Sequence, residues 1–155
     1  MRLMKSITDG IYSVALTLWI GGMWAIGYMV APTLFYTLGD RALAASLAGK
    51  LFTLIAYVGA ACAIYLLLFR LARFGRSCFK HGVFWIIFIM LGLTLAGEFG
   101  VQPILAGLKY QALPKEVMES MFRDRFETWH GVASIMYLIQ SALGVMLVWL
   151  HGRSR

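Results

Sequence analysis

The sequence predicts an all-α integral membrane protein: a four-helix bundle crossing the bilayer, with both termini on the cytoplasmic side. Three observations carry this expectation. Four long apolar runs occupy well over half of the 155 residues. The chain is 61% hydrophobic and only 14% charged, with a mean hydropathy of +0.77, whereas a soluble domain carries about 25% charged residues. The charges also gather between the runs rather than inside them. One soluble core of this size cannot hide four such runs. Lipid accepts them if each is a helix that satisfies its own backbone.

The first run, 11–34, follows the basic segment MRLMKSITDG. It is longer than the apolar core of a signal peptide, and Pro32 stands where a cleavage site would be sought, so a retained helix is expected. Asp9 is placed to accept from the helix's first backbone donors. Gly21, Gly22 and Gly27 invite close approach by a neighbouring helix. Pro32 should kink or end the helix one turn back. The second helix is expected over 49–69, with small residues four apart at Ala45/Gly49, Ala56/Ala60 and Gly59/Ala63 marking helix contacts. A third is expected over 82–101, with room to continue past Pro103, and a fourth over 129–150. Between these last two, residues 114–127 read as an amphipathic helix starting at Pro114. Its apolar face would hold Val117, Met121 and Phe122, and its polar face Glu116, Glu119, Arg123 and Asp124. All of this forms a single domain, 1–155, without repeats.

Orientation follows from the basic residues. Arg2, Lys5, Arg70, Arg73, Arg76, Lys80, Arg153 and Arg155 fall on one side. Arg41, Lys50, Lys109, Lys115, Arg123 and Arg125 fall on the other, mixed with acids. The short, purely basic loop from Arg70 to Lys80 should therefore be cytoplasmic, giving an N-in, C-in topology. Its Arg70, Arg73, Arg76 and Lys80 form a patch suited to anionic lipid headgroups. The net charge of +7 does not point to nucleic acid, because the charges line no groove-sized element. Cys62 and Cys78 stand in no metal or redox spacing, and a disulfide between an apolar run and a basic loop is not expected.

Glu98 is the one acid within an apolar run, and an ionisable group in that setting is a functional candidate. It lies about 25 Å along its helix from His81, toward the outer face, with Gln102 one turn on. Glu127 and His130 are three apart and share a face of the fourth helix. Ser134, Tyr137 and Ser141 continue that face. Tyr28, Pro32 and Tyr36 come from the first helix to a similar height. Together Glu98, Glu127 and His130 make a candidate ligand or metal site, supported by Gln102, Tyr28, Pro32, Tyr36, Ser134 and Tyr137. An E-x-x-H pair is half of a di-iron carboxylate motif, whose other members the chain lacks, so a metal bound here would be held singly, by a ligand count that suits zinc or iron without the spacing being diagnostic of either. The structural alternative makes Glu98 a snorkelling or helix-binding side chain and His130 an interfacial histidine. No nucleophile elbow, Walker sequence, G-x-G-x-x-G or H-E-x-x-H occurs.

Leu18 to Phe52 (LWIGGMWAIGYMVAPTLFYTLGDRALAASLAGKLF) resembles the N-terminal signature of the bacterial membrane family related to transmembrane protein 205. The matching residues are Trp19, Gly21, Gly22, Trp24, Ala31, Pro32, Leu34 and Phe35, then Ala48, Gly49, Leu51 and Phe52. Glu98 to Pro103 and Phe126 to Gln140 look like that family's third- and fourth-helix segments. The resemblance implies the four-helix architecture and a place in the bacterial inner membrane. It implies no activity. The first helix is more distantly similar to those of copper-resistance D-type proteins and of the small four-helix bacterial protoporphyrinogen oxidase. The latter likeness would imply porphyrin chemistry through an early histidine, yet no histidine precedes His81.

The expected function is therefore non-enzymatic, the binding of a metal ion or small ligand at an outward-facing polar patch. A haem-binding or redox membrane enzyme is the first alternative. A structural or assembly subunit of a membrane complex is the second. The expected partners are the lipid bilayer and either further copies of the chain or a membrane complex.

Overall fold

Nothing in the N-terminal segment breaks a helix, and helix 1 opens well before the first apolar run. In the computed structural model, which describes residues 2–112 and 121–153 and side chains from residue 7 onward, it is α-helical over Arg2–Trp24. Asp9 therefore sits inside the helix instead of capping it, and its carboxylate pairs with Arg73 near the end of the next helix. Helix 1 widens into a π-helical turn over Ala25–Val30 and resumes as α-helix over Ala31–Thr37.

The widening has a local cause. Pro32 has no N–H to offer and its ring crowds the carbonyl one turn back. Ala31, just before it, donates instead to the Ile26 carbonyl, five residues behind. Pro32 thus remodels the helix without ending it. Helix 3 repeats the device. It is α-helical over Gly82–Ala96, π-helical over Gly97–Val101 and α-helical again over Gln102–Ala112. Gln102 precedes Pro103 and donates to the Gly97 carbonyl.

Only Leu38–Asp40 separate helix 1 from helix 2, which spans Arg41–Phe74. The Asp40 carboxylate caps helix 2 by accepting from the N–H groups of Ala42 (2.8 Å) and Leu43 (3.1 Å). The helix closes at Gly75, whose φ of +54° suits a residue without a Cβ. A 3₁₀ turn over Gly75–Lys80 leads into helix 3. Helix 4 spans Arg123–Arg153. Helices 1, 2 and 4 run beyond their expected limits at both ends, and helix 3 starts at Gly82 as expected and continues past Pro103 to Ala112. The amphipathic helix expected over 114–127 falls largely outside the described residues. Its last part, from Arg123, belongs to helix 4.

All four helices are long and apolar enough to cross a membrane. They pack as an up-and-down ring, 1 on 2, 2 on 3, 3 on 4, and 4 back on 1. Ser13 and His151 meet at 3.3 Å, so the start of helix 1 and the end of helix 4 share one end of the bundle. That end, which also carries the 75–80 turn, is here the terminal end, and the other the far end. The core holds Trp19, Ile20, Leu66, Ile87, Met90 and Leu147, while Leu18, Leu54, Ile64, Phe88, Ile135 and Val145 face outward.

Small residues set the helix spacing, though not at every expected position. The Trp19 indole lies on Gly59, in the volume a Cβ there would need. A Cβ on Gly22 would meet Ile55 Cδ1 at 2.6 Å, and one on Gly144 would meet Ile20 Cγ2 at 3.3 Å. Gly21 and Gly49 face open space. What approaches Gly22 and Gly59 is a side chain from the neighbouring helix, not its backbone. Gly59→Ala should lower stability in detergent by about 1–3 kcal/mol through overpacking against Trp19. Gly21→Ala should be neutral or slightly stabilising, since alanine is the better helix former. Thermal unfolding of both variants checks this contrast, and equal effects would contradict it.

Candidate functional site

Helix 4 supplies the polar side chains inside the bundle. Gln140 is buried, and its Nε2 donates to the Met90 carbonyl at 3.0 Å and to Thr94 Oγ1. Thr94, also buried, donates its own hydroxyl to the Met90 carbonyl at 2.9 Å. Three polar groups on helices 3 and 4 so satisfy one another where no water is at hand. A single Gln in an apolar helix is the signal that could have found this knot. Gln140 lies off the helix face that His130 defines.

On the adjoining face, Tyr137 reaches helix 1. Its hydroxyl donates to the Met23 carbonyl, and the Gly27 N–H is directed at the phenol oxygen itself. Met23 and Gly27 are the pair that an unbroken α-helix would bond to each other. The phenol is thus inserted into the backbone ladder at the π-turn. Gly27 is required there, because a Cβ would collide with the Tyr137 ring. Tyr28 adds a second tie, its hydroxyl donating to Ser141 Oγ at 2.8 Å. Phe52 of helix 2 closes edge-on over Tyr137, ring centroids 5.5 Å apart.

Glu98 lies on the π-turn of helix 3, which packs against helix 4. It is half-buried, and among the described residues its carboxylate has neither a hydrogen bond nor an ion pair. Gln102, half-buried as well, follows the same turn. The other two members of the expected triad point elsewhere. Glu127 is exposed and pairs with Arg123 at 2.8 Å. His130 is exposed and stacks on Phe126, centroids 5.7 Å apart.

These partners each lie one turn toward the start of helix 4, the direction in which helical side chains lean. Glu98 leans the opposite way, because helix 3 runs antiparallel to helix 4. The set accordingly does not gather. Among the described residues, no three His, Cys, Asp or Glu side chains come together to hold a metal ion. Of the supporting residues, Tyr36 and Pro32 are exposed, and Ser134 bonds its own helix at the His130 carbonyl. The Tyr28 hydroxyl ends at Ser141, about 16 Å along helix 4 from His130. Tyr137 is tied to helix 1. Cys62 and Cys78 are free thiols, the second fully buried in the 75–80 turn.

The basic patch of the terminal end divides into distinct roles. Arg73 is held by Asp9 and lies over the Phe69 ring at 5.8 Å. Arg76 and Lys80 are exposed. Arg70 is half-buried, its guanidinium over the Phe74 ring at 5.2 Å. At the far end, Lys109 Nζ donates to the Ala45 carbonyl at 3.4 Å and sits over Phe126 at 5.8 Å.

Four apolar spans around a polar seam define a multi-pass helical membrane protein. Residues 14–114 match the family described as domain of unknown function DUF4149, and the chain belongs to that family. The match runs from within helix 1 to the end of helix 3, leaving helix 4 outside it. No curated protein and no solved structure matches the chain.

Removing the inserted hydroxyl tests the seam. Tyr137→Phe should lower stability by about 0.6–1.7 kcal/mol, the range for hydrogen bonds between membrane helices. It should also speed hydrogen exchange at the Gly27 amide, while Ser134→Ala changes neither. Unfolding in detergent and exchange mass spectrometry read the two effects separately.

Proposed function

We propose that this DUF4149 protein is a non-enzymatic protein of the bacterial inner membrane that holds a small, positively charged ligand at Glu98. The observation that carries the reading is the carboxylate itself, half-buried on a π-turn within a membrane span and without a partner among the described residues. Ionisable groups at such depth favour a functional role, and π-turns occur frequently at functional sites. Gln102 adds a neutral donor and acceptor beside it. One carboxylate and one amide suit an organic amine or a weakly held cation better than a transition metal, which takes three or four protein ligands. The resemblance of Leu18–Phe52 to the family related to transmembrane protein 205 supports the same architecture and membrane.

The termini face the cytoplasm in this reading, which puts Glu98 in the outer half of the bilayer. The excess of Arg and Lys at the terminal end supports that orientation. In a bacterial host, a C-terminal green fluorescent protein fusion should fluoresce, and a C-terminal alkaline phosphatase fusion should be inactive. The reverse pattern would refute the orientation.

The ligand is tested by a thermal-shift screen of detergent-purified protein against primary to quaternary organic amines and divalent ions. At least one cation should raise the midpoint of the wild type and leave Glu98→Gln unmoved. Stabilisation that survives in Glu98→Gln, or no response from the wild type, would sink the proposal.

A further inference from the structure

The terminal end contains a second polar group that the Glu98 reading does not use. Tyr12 is only 4% exposed, yet its hydroxyl has no hydrogen-bond partner among the described residues. Its charged neighbour is the guanidinium of Arg70, which faces the phenol oxygen without completing a hydrogen bond to it, and whose Nε is likewise buried without a partner among the described residues. Buried donors are ordinarily satisfied, and a buried cation is ordinarily paired with an anion. No described residue supplies one. Among the described residues Asp9 is the one acid at this end, and Arg73 already occupies it.

The surroundings hold this pair in place. Tyr12 packs against Phe69 and His151, with centroids 5.0 and 5.2 Å away. His151 in turn meets Ser13 Oγ. Arg70 rests on the Phe74 face, which restrains the guanidinium before any ligand arrives. Arg76, Lys80 and Arg153 are exposed. Arg70 therefore stands apart from its neighbours: it is a half-buried guanidinium, positioned by an aromatic ring, with no carboxylate against it among the described residues.

We propose that Arg70, backed by Tyr12, is the core of a binding site for the phosphate of an anionic phospholipid. An arginine fork matches phosphate oxygens in pairs, and a phosphate is the anion that a bilayer delivers at this depth, where a span gives way to the polar margin. The outer nitrogens of the half-buried guanidinium take the phosphate, and Tyr12 behind it fixes the orientation of the fork. The exposed Arg76 and Lys80 add only long-range attraction, which salt screens. The site is separate from Glu98, at the opposite end of the bundle, and stands or falls without it.

The test is native mass spectrometry of the full chain released from nanodiscs of equal phosphatidylglycerol and phosphatidylcholine. The wild type should keep phosphatidylglycerol selectively. Arg70→Lys, which preserves charge but removes the fork, should retain about tenfold less. Tyr12→Phe should weaken retention by a smaller factor at unchanged melting temperature, while Arg76→Lys leaves it unchanged. Equal retention in the wild type and Arg70→Lys, or equal losses in Arg70→Lys and Arg76→Lys, would overturn the site in favour of diffuse surface charge. Millimolar inorganic phosphate should not displace the lipid. Displacement would identify the ligand as a free anion and overturn the assignment to lipid.

Discussion

A helix inside hydrocarbon has no water with which to replace a missing backbone partner, and this one constraint governs the bundle. Two prolines, Pro32 and Pro103, each withdraw a donor from a spanning helix. Both helices answer by widening one turn, so that the residue before the proline reaches a carbonyl five positions back. In helix 1 the ladder opens far enough for the Tyr137 hydroxyl to enter between Met23 and Gly27. The glycine that permits this and the tyrosine that fills it lie on different helices, so a local backbone problem becomes a tertiary contact. Individually such bonds contribute about 0.6 kcal/mol, rarely above 1.7. Their larger effect is on register: sliding helix 4 along helix 1 would withdraw the phenol from its gap, and sliding it along helix 3 would part the buried Gln140 amide from Met90 and Thr94.

Apolar packing supplies what these few bonds cannot. Trp19 fills the space that Gly59 leaves, and Leu66, Ile87, Met90 and Leu147 complete a core shared by all four helices. Since lipid tails are as apolar as leucine, contact between helices is favoured by close fit more than by escape from water. That is why Gly22, Gly59 and Gly144 lie at helix contacts with a side chain seated on each, while Gly21 faces outward with nothing on it.

The two ends differ in charge and in what they leave unsatisfied. At the terminal end cations outnumber acids, and one of them, Arg70, is half-buried beside a phenol without an anion. Toward the far end, acids and bases alternate and pair within helix 4, as Arg123 does with Glu127. Glu98 is the exception, without a partner among the described residues, because on a helix antiparallel to helix 4 its side chain leans away from Glu127 and His130. Opposite charges are thus left open at opposite ends, an arrangement suited to a cationic ligand on one side and an anionic headgroup on the other.

Long apolar runs and sparse charge were enough to determine four spanning helices, because hydrocarbon admits no other backbone for such runs in so short a chain. Glu98 stood out for the same reason, as a charge where charge is costly. Helix limits were less legible, since Arg41 or Gln102 continues a helix as readily as it ends one. The expected grouping of Glu98, Glu127 and His130 failed on direction. Spacing along one helix shows which residues share a face, but not that side chains on antiparallel neighbours lean apart. Likewise nothing local marks Gln140 as buried, Gly27 as the seat of Tyr137, or Arg70 as a half-buried arginine that meets no carboxylate among the described residues. Each depends on which neighbour occupies the facing groove, and that is settled only when four helices choose their rotations and heights together.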